Sequence, residues 1–280
     1  MSDGRALARE FLEQQRSLGG EPVILSDSPS PPTGATIGPT PGLRPGSVDS
    51  PSQPSALTPG ASPGITSGRP SGGTSALPPP GLSYDPPSGD LFSSDPVAQA
   101  ASLEAIAHLV ASCTKCRLCE GRRTTVPGEG AGDARLVVVG EGPGRVEDET
   151  GRPFVGPAGE LLTKILGAIE LPRERVFICN VVKCRPPDNR LPQFDEIAAC
   201  VPYLFRQIEI VKPKVILAMG GTAAQTLLNT KQSLGALRNQ VHRFRGVPVI
   251  VTYHPAALLR NPNWKKPTWD DVRIARRLID

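Results

Sequence analysis

The chain has 280 residues and a net charge of +4, and its 32 prolines and 29 glycines exceed average usage. Residues 28–90 hold 16 of the prolines but only five charged residues. Such a segment cannot bury enough apolar surface to offset its ordering entropy, which excludes a single globule of 280 residues. We therefore predict a short amphipathic segment at 1–27, a disordered linker at 28–92 and one folded domain at 93–280.

Charge and apolar patterning restrict the partner and the compartment. Residues 91–280 carry 26 Lys and Arg against 19 Asp and Glu, a basic balance that fits an anionic partner such as nucleic acid. The sequence contains no run of 18 apolar residues, so no membrane span is predicted. The N-terminus, with Glu10 and Glu13, lacks the apolar core of a secretory signal. We expect a cytoplasmic protein, in which six cysteines indicate metal ligands or core residues rather than disulfides.

The N-terminal segment has a helical pattern of its own. Leu7, Phe11 and Leu12 share one face of a helix expected over residues 4–17. A helix this short is marginal alone, so it either frays or docks on a protein partner. We expect the chain itself to be a monomer.

From Asp95 onward, apolar runs alternate with helical patterns. A helix is expected from Asp95 to about residue 113, and further helices at 156–171, at 192–211, from 221 and at 267–279. The four predicted strands are RLVVVG at 135–140, RVFICNVV at 175–182, KVILAMG at 214–220 and VPVIVTYH at 247–254. This alternation predicts a three-layer α/β sandwich with a central, mostly parallel four-stranded sheet.

Polar residues follow the predicted strands, where open α/β sheets bind their ligands. The first strand ends in the glycine-rich turn 140–144, whose spacing and Pro143 do not fit a dinucleotide fingerprint. This turn either presents backbone amides and Glu141 to a small ligand or is merely a tight turn. Asn180 ends the second strand and His254 follows the fourth, so we expect a site that combines these side chains.

The six cysteines divide by spacing. One pair forms a CxxC motif after the first helix, and a second pair is sixteen residues apart, which fits neither a zinc ribbon nor a zinc finger and favours an iron–sulfur cluster. Cys179 lies inside an apolar strand and is predicted to be a small buried hydrophobe, whereas Cys119 could extend the CxxC motif. The candidate ligands are Cys113, Cys116, Cys184 and Cys200.

From about residue 100 to 280 the chain resembles the family 4 uracil-DNA glycosylases, the iron–sulfur branch of their superfamily. The matching strings are CTKCRL at 113–118, VPGEG at 126–130, VVVGEGPG at 137–144, ETGRPFVGPAGELL at 149–162, ICNVVKCRPPDNR at 178–190 and YHPAALLRNP at 253–262. The resemblance implies a DNA repair enzyme that flips uracil out of single- or double-stranded DNA. It would hydrolyse the N-glycosidic bond and leave an abasic site.

The resemblance also implies roles for single residues. The four candidate cysteines match the ligands of a 4Fe-4S cluster, while Cys119 matches a variable position. Phe154 matches the aromatic residue that stacks on uracil, and Asn180 matches the amide that reads its edge. The loop that holds base and water matches Gly140, Glu141 and Gly142, and the catalytic pair would be Glu141 and His254.

Departures from related families leave one step open. Lys183 is followed directly by CRPPDNR, without the basic insert of the covalently crosslinking offshoot, so ordinary hydrolysis is implied. The Asp-Pro-Tyr turn of the cluster-free family is also missing, and how water is activated stays open. Glu141 is the first candidate for orienting the water, and Asn189 is a weaker one.

Contacts with DNA have candidates beyond the pocket. Leu258 or Leu259 would insert as a wedge where the base leaves the stack, or either would pack in the core. Phosphate contacts are expected from Arg185, Arg190, Arg260, Lys265 and Lys266, although any of them can also be a solvated charge. The alternative class is a non-enzymatic iron–sulfur protein that binds nucleic acid.

Overall fold

The computed structural model describes residues 77–86 and 94–280. The amphipathic segment predicted at 1–27 and most of the linker predicted at 28–92 lie outside these residues. Within the described ranges, no helix combines the length and the apolar character needed to cross a membrane.

A single mixed sheet of seven strands forms the centre of the described domain. Its strands are β1 Pro80–Tyr84, β2 Glu129–Gly130, β3 Leu136–Gly140, β4 Phe177–Asn180, β5 Val215–Met219, β6 Val241–Phe244 and β7 Val247–Thr252. Their order is β1-β6-β7-β5-β3-β4-β2. The inner strands β7, β5, β3 and β4 pair in parallel, whereas β2 and β6 are antiparallel to their neighbours β4 and β7. The predicted α/β class is confirmed, but the predicted number of four strands is wrong.

The three additional strands are short and carry weak sequence signals. β6 and β7 form a hairpin whose turn, Arg245-Gly246, has positive φ angles of 47° and 77°.

β1 lies inside the segment predicted as a disordered linker, so that prediction is wrong at these five residues. The backbone N–H of Leu82 in β1 donates to Nδ1 of the buried His242 at 2.8 Å, and β1 pairs in parallel with β6. Tyr84 is buried at 7 % exposure, and this burial explains how a strand within a proline-rich segment gains order.

Helices cover both faces of the sheet. They are α1 Pro96–Gln99, α2 Leu103–Ala111, α3 Leu118–Gly121, α4 Arg145–Thr150, α5 Pro157–Ala168, α6 Phe194–Val211, α7 Gly221–Leu228, α8 Leu234–Leu237, α9 Pro255–Arg260 and α10 Lys265–Ile279. Alternate residues of β3 point into two cores: Val137 and Val139 pack with α1, α2, α6 and α7, while Leu136 and Val138 pack with α5 and α10. A strand buried on both faces explains the continuous apolar run in the sequence.

The first predicted helix is divided in two. The Asp95 side chain accepts from the N–H of Val97 at 3.0 Å, and Ser102 Oγ accepts from the N–H of Ala105 at 3.2 Å. Each side chain caps a helix start, so α1 and α2 form separately and a three-residue break lies between them.

Candidate functional site

The carboxyl ends of the parallel strands open into a cleft of about 560 Å³. Five of the predicted pocket residues line it, namely Glu141, Gly142, Phe154, Asn180 and His254. Gly140 lies beneath the cleft, where a Cβ would stand 2.4 Å from Asn180 Oδ1 and 2.5 Å from Phe154 Cζ. Glycine is therefore needed at this position, because any side chain would push both groups out of place.

Asn180 places an unsatisfied acceptor in the cleft. Its side chain is buried at 1 % exposure, and Oδ1 has no hydrogen-bond partner among the described residues. Its backbone carbonyl accepts from Lys183 Nζ at 2.7 Å, and Lys183 Nζ also donates to Gln207 Oε1 at 2.7 Å. A buried acceptor without a donor is costly, so Oδ1 is suited to a ligand that brings an N–H group.

Phe154 is held in an uncommon backbone conformation. Its φ is +52°, and its carbonyl accepts from Arg173 Nη1 at 2.7 Å. A Cβ at Gly159 would stand 1.9 Å from this carbonyl oxygen, so the close approach of α5 requires glycine there. Glu147 Oε1 accepts from the N–H groups of Val155 and Gly156, both at 2.9 Å. These contacts fix the loop that carries the aromatic wall of the cleft.

His254 is a neutral donor beside that wall. Its ring centroid lies 5.4 Å from that of Phe154, with the planes at 31°. Nδ1 accepts from the N–H of Ala256 at 3.2 Å, which leaves the proton of the neutral imidazole on Nε2. Burial, with a smaller contribution from the charge of Arg260, lowers the pKa of His254 to about 4, and the charge of Glu147 opposes this shift. The imidazole is therefore uncharged at pH 7.

Glu141 is oriented from across the cleft. Its Oε2 accepts from the hydroxyl of Thr222, at the start of α7, at 2.5 Å. Thr222 and Arg173 carry no sequence signal, since each contacts a cleft residue that is distant in the chain. Glu147 has one usable signal, its position in the charged loop that follows the glycine-rich turn.

The predicted DNA contacts separate into buried, paired and exposed residues. Leu258 is 1 % exposed, which favours the core-packing alternative for it, while Leu259 is 50 % exposed and stays the candidate wedge. Arg190 donates through both Nη atoms to the buried carboxylate of Glu196, at 2.8 and 2.6 Å. Arg260 is exposed and lines the cleft.

Asn189, the weaker candidate for orienting the water, lines the cleft and also has a protein partner. Its Oδ1 accepts from Arg185 Nε at 2.8 Å, on an exposed turn. The same hydrogen bond uses the Nε–H donor of Arg185. This pairing occupies the Asn189 acceptor, so Glu141 is the better candidate for accepting a hydrogen bond from the attacking water.

A second, smaller cavity is lined by five of the six cysteines. It lies between the segment that follows α2 and the start of α6, and its lining includes Cys113, Cys116, Cys119, Cys184 and Cys200. Cys179 is fully buried within β4, which confirms its prediction as a small core residue. Among the described residues, no group of three or more His, Cys, Asp or Glu side chains is arranged to hold a single metal ion.

The surroundings of these thiols combine burial with N–H donors. Burial raises the pKa of Cys116 to about 11 and that of Cys200 to about 12. Arg122 Nη1 donates to Cys184 Sγ at 3.2 Å, and the backbone N–H of Lys183 donates to Cys200 Sγ at 3.3 Å. Several sulfur atoms around one apolar cavity, with N–H groups aimed at sulfur, are the donor chemistry that iron–sulfur clusters use.

Comparisons with known proteins agree with this arrangement. The family model of the Uracil DNA glycosylase superfamily matches residues 127–274. The type-4 uracil-DNA glycosylase of Thermotoga maritima is 50 % identical over 181 residues, which cover 63 % of this chain and 94 % of that protein. The enzyme of the same name from Sulfurisphaera tokodaii is 47 % identical over 186 residues, covering 63 % and 84 %. That from Archaeoglobus fulgidus is 42 % identical over 180 residues, covering 61 % and 90 %.

The matched region contains the glycine-rich turn, Asn180 and His254, and it therefore includes the cleft described above. The chain belongs to the uracil-DNA glycosylase superfamily and, within it, to the type-4 uracil-DNA glycosylases.

Proposed function

We propose that this DNA repair glycosylase binds flipped-out uracil in the strand-end cleft and hydrolyses its N-glycosidic bond there. A base inside a duplex is beyond the reach of side chains, so the nucleotide must leave the stack first. Flipping costs a few kcal/mol and is cheapest for a mismatched or already single-stranded base. The cleft lies at the surface edge of the sheet, where a base rotated out of DNA can enter.

The observation that carries the proposal is the unsatisfied, buried Oδ1 of Asn180. Uracil offers N3–H as a donor and O4 as an acceptor, so the Asn180 carboxamide would accept from N3–H and donate to O4. Cytosine presents an acceptor at N3 and a donor at N4, which mispairs both contacts. Phe154 would stack on the base, and such stacking contributes about 1–3 kcal/mol per base.

Cleavage leaves negative charge on uracil and positive charge on the sugar. The Nε2–H of neutral His254 would donate to O2 as the charge develops, in the manner of an oxyanion hole. Because the pKa of His254 is lowered to about 4, the imidazole acts as a hydrogen-bond donor and not as an acid at neutral pH. Glu141, oriented by Thr222, would hold the water that attacks the sugar. Backbone amides of the 140–144 turn, which includes Gly140 and Gly142, would add to the stabilisation of the departing uracil anion.

Uracil-containing DNA would cross the mouth of the cleft. Arg260, exposed at its rim, would contact a phosphate, and Leu259 would enter the gap that the flipped base leaves. The pairing of Arg190 with Glu196 supports a structural role for this arginine in place of the predicted phosphate contact.

Cys113, Cys116, Cys184 and Cys200 would hold a 4Fe-4S cluster. The four cysteines would bind it as thiolates, releasing their protons, and the cluster would join the segment after α2 to α6 as a structural clamp. The residues that line the cysteine cavity and those that line the cleft are different, so no cleft residue would touch the cluster. The alternative of a non-enzymatic iron–sulfur protein that binds nucleic acid is disfavoured by family membership and by the complete set of cleft residues.

The test is uracil release from a labelled oligonucleotide by the wild-type protein and by Asn180→Asp. An ionised Asp cannot donate to O4, so excision should fall by roughly 10²-fold or more, because each mispaired buried polar group costs about 1–3 kcal/mol. Asn239→Asp makes the same change at an exposed position that neither lines the cleft nor adjoins a proposed DNA contact, and it should leave the rate unchanged. Release by Asn180→Asp within threefold of wild type would falsify the reading role of Asn180.

His254→Ala provides an independent arm of the same assay. It should slow uracil release without admitting cytosine, since His254 faces charge that develops in the transition state. A gain of cytosine release in this variant would instead place His254 among the groups that read the base.

A further inference from the structure

Three side chains form a stacked column beside the cleft. The Arg238 guanidinium carbon lies 4.4 Å from the ring centroid of Tyr253, and the rings of Tyr253 and Trp264 are 4.7 Å apart at an angle of 6°. None of these three residues has a role in the reading of uracil described above.

The base of the column is anchored in the core. Arg238 Nε donates to Asp271 Oδ2 at 2.8 Å, and the hydroxyl of Thr252 donates to the same oxygen at 2.7 Å. Arg238, Asp271 and Thr252 are all buried. The column therefore cannot shift easily, because its lowest layer is fixed by a buried ion pair and two hydrogen bonds.

The outer end of the column reaches the cleft. Trp264 lines the cleft together with Tyr253, His254 and Arg260, and it is 37 % exposed. Tyr253 covers one face of the indole, so a base could stack only on the opposite face. Arg260 is exposed and lines the same cleft, and the exposed Lys265 and Lys266 directly follow Trp264 in the chain.

We propose that Trp264 is a stacking platform for the nucleobase next to the flipped uracil in single-stranded or locally opened DNA. The proposal rests on the proposed function, which places uracil between Phe154 and Asn180. A base beside a flipped nucleotide loses one stacking partner, and a rigid, half-exposed indole replaces it without regard to sequence. The positive charges nearby suit the phosphates on either side of that base.

The experiment compares Trp264→Leu with Trp264→Phe on a single-stranded uracil oligonucleotide. Leu keeps apolar bulk but removes the π-face, so KM should rise about tenfold with kcat within twofold of wild type. Phe keeps a stacking face and should restore most of the affinity. Trp269→Leu is the matched control: Trp269 is also 37 % exposed, but it lies on α10 and does not line the cleft. Equal KM values for Trp264→Leu and Trp269→Leu would overturn the proposal.

A second arm removes the base in place of the side chain. Oligonucleotides with a tetrahydrofuran residue 5′ or 3′ of uracil delete one neighbouring base at a time. For wild type, one of the two should raise KM by about the same factor as Trp264→Leu, and the two changes together should cost no more than either alone. Losses that multiply would show that Trp264 does not contact that base.

The proposed function and this inference can fail separately. If the wild-type protein releases no uracil, the function is wrong, and the platform is then tested by tryptophan fluorescence of Trp269→Phe, in which Trp264 is the remaining tryptophan. Quenching by a uracil-free single strand supports stacking on Trp264. Unchanged fluorescence under saturating strand concentrations overturns it.

Discussion

The cleft and the cysteine cavity lie on opposite sides of the short segment from Asn180 to Cys184, and they are built differently. In the cleft, protein hydrogen bonds position the groups around the unsatisfied Asn180 Oδ1: Thr222 orients Glu141, and Glu147 holds the loop after Phe154. In the cavity, five cysteines lie together, and burial raises the pKa values of Cys116 and Cys200. The groups of the cleft are held by protein contacts, whereas the cysteines of the cavity would be joined by the proposed cluster. Damage to the cleft should therefore remove chemistry, and damage to the cavity should remove structure.

The largest effect should follow the loss of a cluster ligand. Cys184→Ala should abolish iron binding and most of the soluble yield, because an unligated cavity leaves the segment after α2 without its attachment to α6. Protein purified without oxygen should carry about four irons in the wild type, with broad absorption near 400 nm. Iron analysis and the absorption spectrum are the measurements.

Cys119→Ala is the control for that change, since Cys119 lines the same cavity but is not among the four proposed ligands. It should keep both iron and yield. Loss of iron in Cys119→Ala would mean that the ligand set is wrong. Stoichiometric zinc in anaerobic wild-type protein would contradict the cluster itself.

A smaller effect is expected where the two regions meet. Lys183→Met removes the donor to the Asn180 carbonyl and to Gln207 Oε1, leaving two buried acceptors without partners. Asn180 should lose its position, and kcat for uracil release should fall about tenfold, because an unsatisfied buried group costs about 1–3 kcal/mol. The iron content should stay at the wild-type value, since the side chain of Lys183 is not a ligand.

The exposed Lys231→Met serves as the matched substitution. An increase in KM for Lys183→Met with kcat unchanged would argue against a role in positioning Asn180. Loss of iron would instead show that Lys183 supports the cysteine cavity first.

These regions also differ in how far the sequence could predict them. The cleft residues are predictable because a polar residue at the end of an apolar run marks the end of a buried strand. Asn180 and His254 occupy such positions. Their partners were missed because Thr222 and Arg173 meet the cleft only through the folded sheet. Leu258 and Leu259 could not be told apart, since neighbouring residues on a short helix face in different directions. β1 was missed because its order comes from burial against His242 and Phe244, not from its own composition.

The smallest effect concerns that edge strand, and it compares two truncations. Deleting residues 1–76 leaves β1 intact, whereas deleting residues 1–90 removes it and exposes the buried His242 and Phe244. Loss of the Tyr84 and Leu82 contacts should cost about 2–4 kcal/mol of unfolding free energy. For a domain of this size that corresponds to a fall in Tm of roughly 5–15 °C. Uracil release should be within twofold of the full chain in both, because β1 is an edge strand separated by β6 from β7, the nearest strand whose end lines the cleft.

The pH dependence of stability separates β1 from a general effect of truncation. Burial lowers the pKa of His242, whose neutral Nδ1 accepts from Leu82 in β1. The stability that depends on neutral His242 is complete above the ordinary histidine pKa of about 6.5, and it is lost as pH falls below that value, because the unfolded chain then binds a proton that the folded chain does not. Between pH 7 and pH 5 the full chain and the 1–76 deletion should therefore lose Tm more steeply than the 1–90 deletion, in which Nδ1 is freed to take up a proton. Parallel pH profiles for the two truncations would show that β1 does not hold His242 neutral, even if their Tm values differ.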